Sequence, residues 1–237
     1  MFLTSPTFFS RENLPKTRII VWEGLDAAGK TTLLNEVKRL LEEGDYRVLV
    51  YKTPSDSRTG NFAKSYGNDP RIDPLTRMLL FLANTSDDSR IIREQIESES
   101  PNFYFIDRYY LCSIVYGFAF LKLQGNPLSE EDFRRFITLM EKLGGRVFVE
   151  PDLYLIVDAP EEDRVKRLAE KESQGGLENI LERDTRMQQY VREFYRVFRE
   201  MKPDRVYWIM NPQGKLREVA EQIVEILLSE GGIRLKQ

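Results

Sequence analysis

The strongest constraint on this chain lies in residues 22–32, WEGLDAAGKTT, where Gly24, Gly29, Lys30 and Thr31 satisfy the spacing G-x-x-x-x-G-K-[ST]. A turn of this kind between a strand and a helix aims successive backbone N–H groups at phosphate oxygens, and the helix N-terminus adds positive potential. Both flanks suit it. RIIVW (18–22) reads as a buried strand, and TTLLNEVKRLLEE puts Leu33, Leu34, Val37, Leu40 and Leu41 on one helical face, with Gly44 as the stop. Gly24, Leu25, Asp26, Ala27, Ala28, Gly29, Lys30, Thr31 and Thr32 are therefore expected to cradle a nucleotide. Lys30 would reach the β- and γ-phosphates of ATP, and Thr31 would offer its hydroxyl to Mg²⁺. Ala27 and Ala28 leave the loop without an arginine.

Apolar runs alternate with helical patterns along the rest of the chain, as in a parallel sheet flanked by helices. RVLVY (47–51), NFYFIDR (102–108), DLYLIV (152–157) and VYWIM (206–210) supply four more strands, and five strands with right-handed crossovers make a doubly wound sheet. The polar segment KTPSDSRTG reads as a loop after the second strand. A long helix is expected from Pro74 to about Ser98, interrupted by the polar run NTSDDS. Ser129 suits the N-cap of a helix, and Pro160 suits the first position of another. The paired glycines Gly175 and Gly176 break the helical pattern between them and the last third of the chain.

A chain of 237 residues fits one α/β domain, expected over 18–228, with an extension at 1–17 and a tail at 229–237. The net charge of -3 argues against general nucleic-acid binding, and no apolar run approaches the roughly 20 residues that cross a bilayer. The start of the chain lacks the basic and long apolar regions of a signal peptide. The single cysteine, Cys112, allows no intrachain disulfide and suits a reducing cytoplasmic setting.

The charged residues narrow the chemistry. No N-K-x-D guanine reader occurs in the chain, which removes the translation-type GTPases. A motor ATPase usually follows its strand-end Asp with a Glu that activates water, whereas Asp107 here is followed by Arg108. Arginine attracts an anion and cannot act as a base, so the pattern favours a kinase that holds a second phosphate beside the first.

EGLDAAGKTT, LLFLAN (79–84), DRYYLCSIVY (107–116), PDLYLIVDAPEE (151–162) and ERDTRMQQYVREFY (182–195) occur in an order that resembles the thymidylate kinase family. The resemblance spans about 18–228 and implies the nucleoside monophosphate kinase type of P-loop fold, with a mobile lid at about 164–186. It implies transfer of the ATP γ-phosphate to a deoxynucleoside monophosphate, dTMP first, in a homodimer. Arg108 would hold the acceptor phosphate, and Asp107 would help organise Mg²⁺ through water. Asp26 and Glu23 sit where the family carries carboxylates near the acceptor and the metal, although either also suits a helix N-terminus. Phe81 matches an aromatic that stacks on the base, Tyr116 one that crowds the sugar 2′ position, and Ser113 a small polar residue that touches the base.

Some positions depart from the family. Thr85 stands where an arginine commonly contacts thymine, and Lys52 replaces an arginine after the second strand, keeping the charge without the fork. Arg58 and Arg77 are candidates to compensate. The cation absent from the loop would come from the lid, among Arg164, Lys166, Arg167, Lys171, Arg183 and Arg186, with Arg167 first. Ile114, Phe118 and Leu121 are apolar candidates for a dimer face or for the core. A related kinase with another small acceptor, and a nucleotide-binding regulatory protein with weak or no activity, stay open at this point.

Overall fold

A computed structural model describes residues 17–67, 69, 71–173 and 183–229. Its five strands are β1 (Arg18–Gly24), β2 (Val48–Lys52), β3 (Phe103–Asp107), β4 (Leu153–Asp158) and β5 (Val206–Met210). All pair in parallel in the order β2-β3-β1-β4-β5. β3 and β4 are buried along their whole length. Their unbroken apolar runs suit a sheet covered on both faces.

The helices are α1 (Lys30–Glu43), α2 (Arg58–Gly67), α3 (Pro74–Glu99), α4 (Tyr110–Leu123), α5 (Glu130–Gly144), α6 (Glu161–Ser173), α7 (Thr185–Met201) and α8 (Leu216–Leu228). Leu33, Leu34, Val37 and Leu41 of α1 are buried, as the periodicity requires. Ser129 caps α5 through a reciprocal box with Asp132. Pro160 lies just before α6, which starts at Glu161. Strand register brings Trp22 of β1 opposite Asp107 of β3, and Gly24 opposite Val157 of β4. The carboxyl ends of the central strands thus converge on the phosphate loop, where open α/β sheets bind ligands.

Two expectations are corrected. The segment read as a loop after β2 contains the start of α2. The polar run NTSDDS does not interrupt α3, because its polar groups are bonded inside the fold: Asp88 accepts from Ser55 Oγ at 2.7 Å, and Ser89 Oγ meets Tyr109 Oη at 2.6 Å. The Thr85 and Ser89 hydroxyls also donate to carbonyls one turn back, a bond compatible with helix. Of the two places left open for Ile114 and Phe118, the structure puts both in the core of this chain, with Phe118 edge-on to Phe133 and Phe194. Leu121 is half-buried. The extension up to residue 16, Gly175, Gly176 and the tail from 230 lie outside the described residues.

Candidate active site

Gly24 ends β1 with φ 145°, and a Cβ there would fall 2.1 Å from the Val157 carbonyl oxygen. Only glycine lets the loop leave the sheet this close to β4. Gly29 caps α1 at φ 78°, where a Cβ would meet Asn211 Nδ2 at 2.6 Å and Arg167 Nη1 at 3.2 Å. No side chain caps α1, so its first N–H groups stay available to an anion. Lys30 is nearly buried and ion-paired with Asp107 at the end of β3, while Thr31 and Thr32 are exposed on the first turn of α1.

A second layer closes over the loop from β5 and α6. Asn211 Nδ2 donates to the Ala28 carbonyl at 2.9 Å, and the Asn211 carbonyl accepts from Arg167 Nη2 at 2.9 Å. Arg167 Nη1 is buried without a hydrogen-bond acceptor among the described residues. Such a donor is costly unless a ligand satisfies it. Of the other lid candidates, Arg164 is buried and held by Glu161, whereas Lys166, Lys171, Arg183 and Arg186 are exposed. Arg192, which the sequence reading passed over, pairs with Asp158 at 3.1 Å and with Glu161 at 3.0 Å.

Beside the loop opens a cleft of about 860 Å³, within the range of small-molecule sites. Asp26, Lys52, Phe81, Thr85, Arg108, Ser113 and Tyr116 all line it. Arg108 adopts a left-handed backbone, φ 66°, with its N–H donating to the Trp22 carbonyl at 2.9 Å. Its guanidinium donates to Asp26 Oδ1 at 2.9 Å and to Cys112 Sγ at 2.9 Å, and stands 5.3 Å from the Tyr116 ring centroid. Burial pushes the Cys112 thiol up to about 11, so it stays protonated at neutral pH. Tyr116 Oη donates to the Gly24 carbonyl at 3.3 Å, tying the cleft wall to the loop.

Glu23 is the exception among the expected site residues. It is fully buried, and its carboxylate accepts from the Tyr109 and Cys112 N–H groups at 3.0 and 3.2 Å and from Tyr195 Oη at 3.0 Å. It caps the start of α4, the helix-terminus role, and is not among the residues that line the cleft. Burial, offset in part by Arg108 and these donors, pushes its pKa up to about 7.

The fold resembles a solved structure of thymidylate kinase from Candida albicans, with a TM-score of 0.65 at 21% identity, covering 90% of this chain and 91% of that one. A family model described as Thymidylate kinase matches residues 22–223. The chain belongs to the thymidylate kinase family. It is 28% identical to a probable thymidylate kinase of Archaeoglobus fulgidus over 213 residues, 89% of this chain and 95% of the relative. It is 26% identical to a thymidylate kinase of Caldicellulosiruptor saccharolyticus over 218 residues, covering 90% and 96% of the two chains. Membership makes the protein a phosphotransferase that acts on small nucleotides.

Against that family, two features of the site stand out. Thr85 lines the cleft but is buried, with its hydroxyl bonded to the Phe81 carbonyl at 2.9 Å. Arg77 lines the cleft, whereas Arg58 does not. Asn84 and Asn211 were not singled out from the sequence. Asn211 had a usable signal, since it directly follows VYWIM at the carboxyl end of a strand.

Proposed function

We propose that this kinase transfers the γ-phosphate of ATP to dTMP, giving dTDP. One observation carries the reading: the Arg108–Asp26 pair joins the phosphate loop to the cleft, so a donor in the loop and an acceptor in the cleft meet at that pair. The transfer needs positioning and charge stabilisation rather than a covalent enzyme intermediate. In this scheme the loop N–H groups and Lys30 hold the donor phosphates, and Arg108 orients the acceptor phosphate for in-line attack. Arg167, whose Nη1 faces Gly29, supplies the cation that Ala27 and Ala28 do not. Phe81 and Tyr116 bound the base and sugar.

The donor set fits Mg²⁺. Thr31 and Asp107 offer hard oxygens, and among the described residues no group of three or more His, Cys, Asp or Glu forms a dedicated metal cage. Magnesium is commonly held by one or two protein oxygens together with substrate phosphates and water. When bound, it supplies charge neutralisation between the β- and γ-phosphates. Thr31 and Asp107 would hold the ion, and Lys30, which pairs with Asp107 here, would hold the donor phosphates.

The same reading includes a cytoplasmic homodimer. Among the described residues no helix is long and apolar enough to cross a membrane. Measuring ADP release from Mg-ATP over dTMP, dUMP, UMP, CMP, dGMP and thymidine tests the proposal. The greatest kcat/KM is expected with dTMP. Tight ATP binding with no release over the whole panel would refute it in favour of a regulatory nucleotide-binding protein.

A further inference from the structure

Gln188 is fully buried on the first turn of α7, and its amide Nε2 donates to Asp26 Oδ2 at 3.4 Å. The other oxygen of the same carboxylate, Oδ1, accepts from Arg108 Nη2 at 2.9 Å. Asp26 therefore links α7 to the arginine of the acceptor cleft, with one oxygen bonded to each. Seven residues further on, and so on the same face of the helix, Tyr195 Oη donates to Glu23 Oε2 at 3.0 Å and accepts the Gly24 N–H at 3.4 Å. Arg192, between the two, pairs with Asp158 at 3.1 Å. α7 is thus docked on the start of the phosphate loop through Tyr195 and on the end of β4 through Arg192, and neither contact needs Gln188.

The torsion that turns a carboxylate about its Cβ–Cγ bond is broad. A carboxylate held at one oxygen can rotate and take a bound guanidinium with it, whereas donors on both oxygens fix its plane. We infer that Gln188 is a positioning residue for the acceptor phosphate, holding Asp26 so that Arg108 presents its remaining N–H groups to the cleft. The inference rests on the acceptor site described under Proposed function. Asp26 and Arg108 line the cleft and Gln188 does not, so its effect reaches the substrate through them.

Gln188→Met, which keeps most of the volume and removes the amide, tests this through equilibrium binding of dTMP and of thymidine, with steady-state KM for dTMP and for ATP alongside. Kd and KM for dTMP are expected to rise about 3- to 10-fold, the size of one net hydrogen bond. Thymidine carries no phosphate for Arg108 and should bind within about twofold of wild type, and the KM for ATP should not move. On an Asp26→Ala background the same substitution should change the dTMP Kd by less than about twofold, because the link is already cut. Should the Met variant fail to fold, Gln188→Glu keeps the shape and sets a second carboxylate against Asp26; its dTMP Kd should rise further than 10-fold, with thymidine again unaffected. Equal losses for dTMP and thymidine, no loss for either, or the same loss with and without Asp26 would overturn the positioning role. A wild type that neither binds nor phosphorylates any nucleoside monophosphate removes both readings, whereas an active wild type with unaffected Gln188 variants removes only this one.

Discussion

Replacing Gly24 by alanine tests the claim that the phosphate loop is placed by backbone contact with the sheet. The new Cβ would lie 2.1 Å from the Val157 carbonyl oxygen and 2.9 Å from the Val157 backbone carbon and nitrogen. These are backbone atoms of a central strand, so no side chain can swing away to relieve the clash. The φ of 145° adds strain of about 1–3 kcal/mol for a residue with a Cβ. Pushing β1 from β4 costs about 1–3 kcal/mol more as overpacking. The Leu25 N–H bond to the Val157 carbonyl, 3.1 Å long, is worth about 1 kcal/mol and is lost with the separation. The combined destabilisation is about 3–7 kcal/mol, which lowers Tm by roughly 6–28 °C in a domain of this size. Differential scanning calorimetry measures the shift, and ATP titration of the folded variant measures the displaced loop. A Tm within about 2 °C of wild type would refute the collision argument. A large drop in Tm with unchanged ATP affinity would instead refute the placement of the loop.

Lys30→Ala is expected to reduce turnover to background while the far-UV circular dichroism spectrum stays that of the wild type; substantial remaining kinase activity would sink the phosphate-loop assignment. Arg167→Ala should lower kcat about 10²- to 10³-fold, the scale of one preorganised transition-state donor, with dTMP affinity unchanged; a loss confined to KM would show that it only binds. Glu23 gives a pH prediction. Its folded pKa of about 7 lies above the ordinary 4.5, so between these values the unfolded chain releases a proton that the folded chain keeps, and this group lowers stability as pH rises. The Tm of Glu23→Gln relative to wild type should therefore rise between about pH 5 and pH 8, and a constant difference would contradict a protonated buried Glu23.

The sheet and the donor half of the site were legible in the residue order. β1, the glycine loop and α1 are local in sequence, so period, turn chemistry and spacing describe them without any distant partner. NFYFID and DLYLIV were readable for a similar reason, since β3 and β4 are covered on both faces and must be apolar nearly throughout. Local patterns failed where a distant segment supplies the missing bonds. Asn84, Thr85, Asp88 and Ser89 read as a helix breaker until Ser55, Ser57 and Tyr109 close over them. Glu23 looked like a site carboxylate because a sequence cannot show that the backbone of Tyr109 and Cys112 faces it. Only the fold distinguished buried Arg164 from Arg167, and only the fold showed that Arg77 lines the cleft beside Phe81. Motif chemistry depends on residue type and spacing, which the chain carries in itself. The charge balance of a cleft depends on which groups meet across it, and that is decided when helices far apart in sequence pack together.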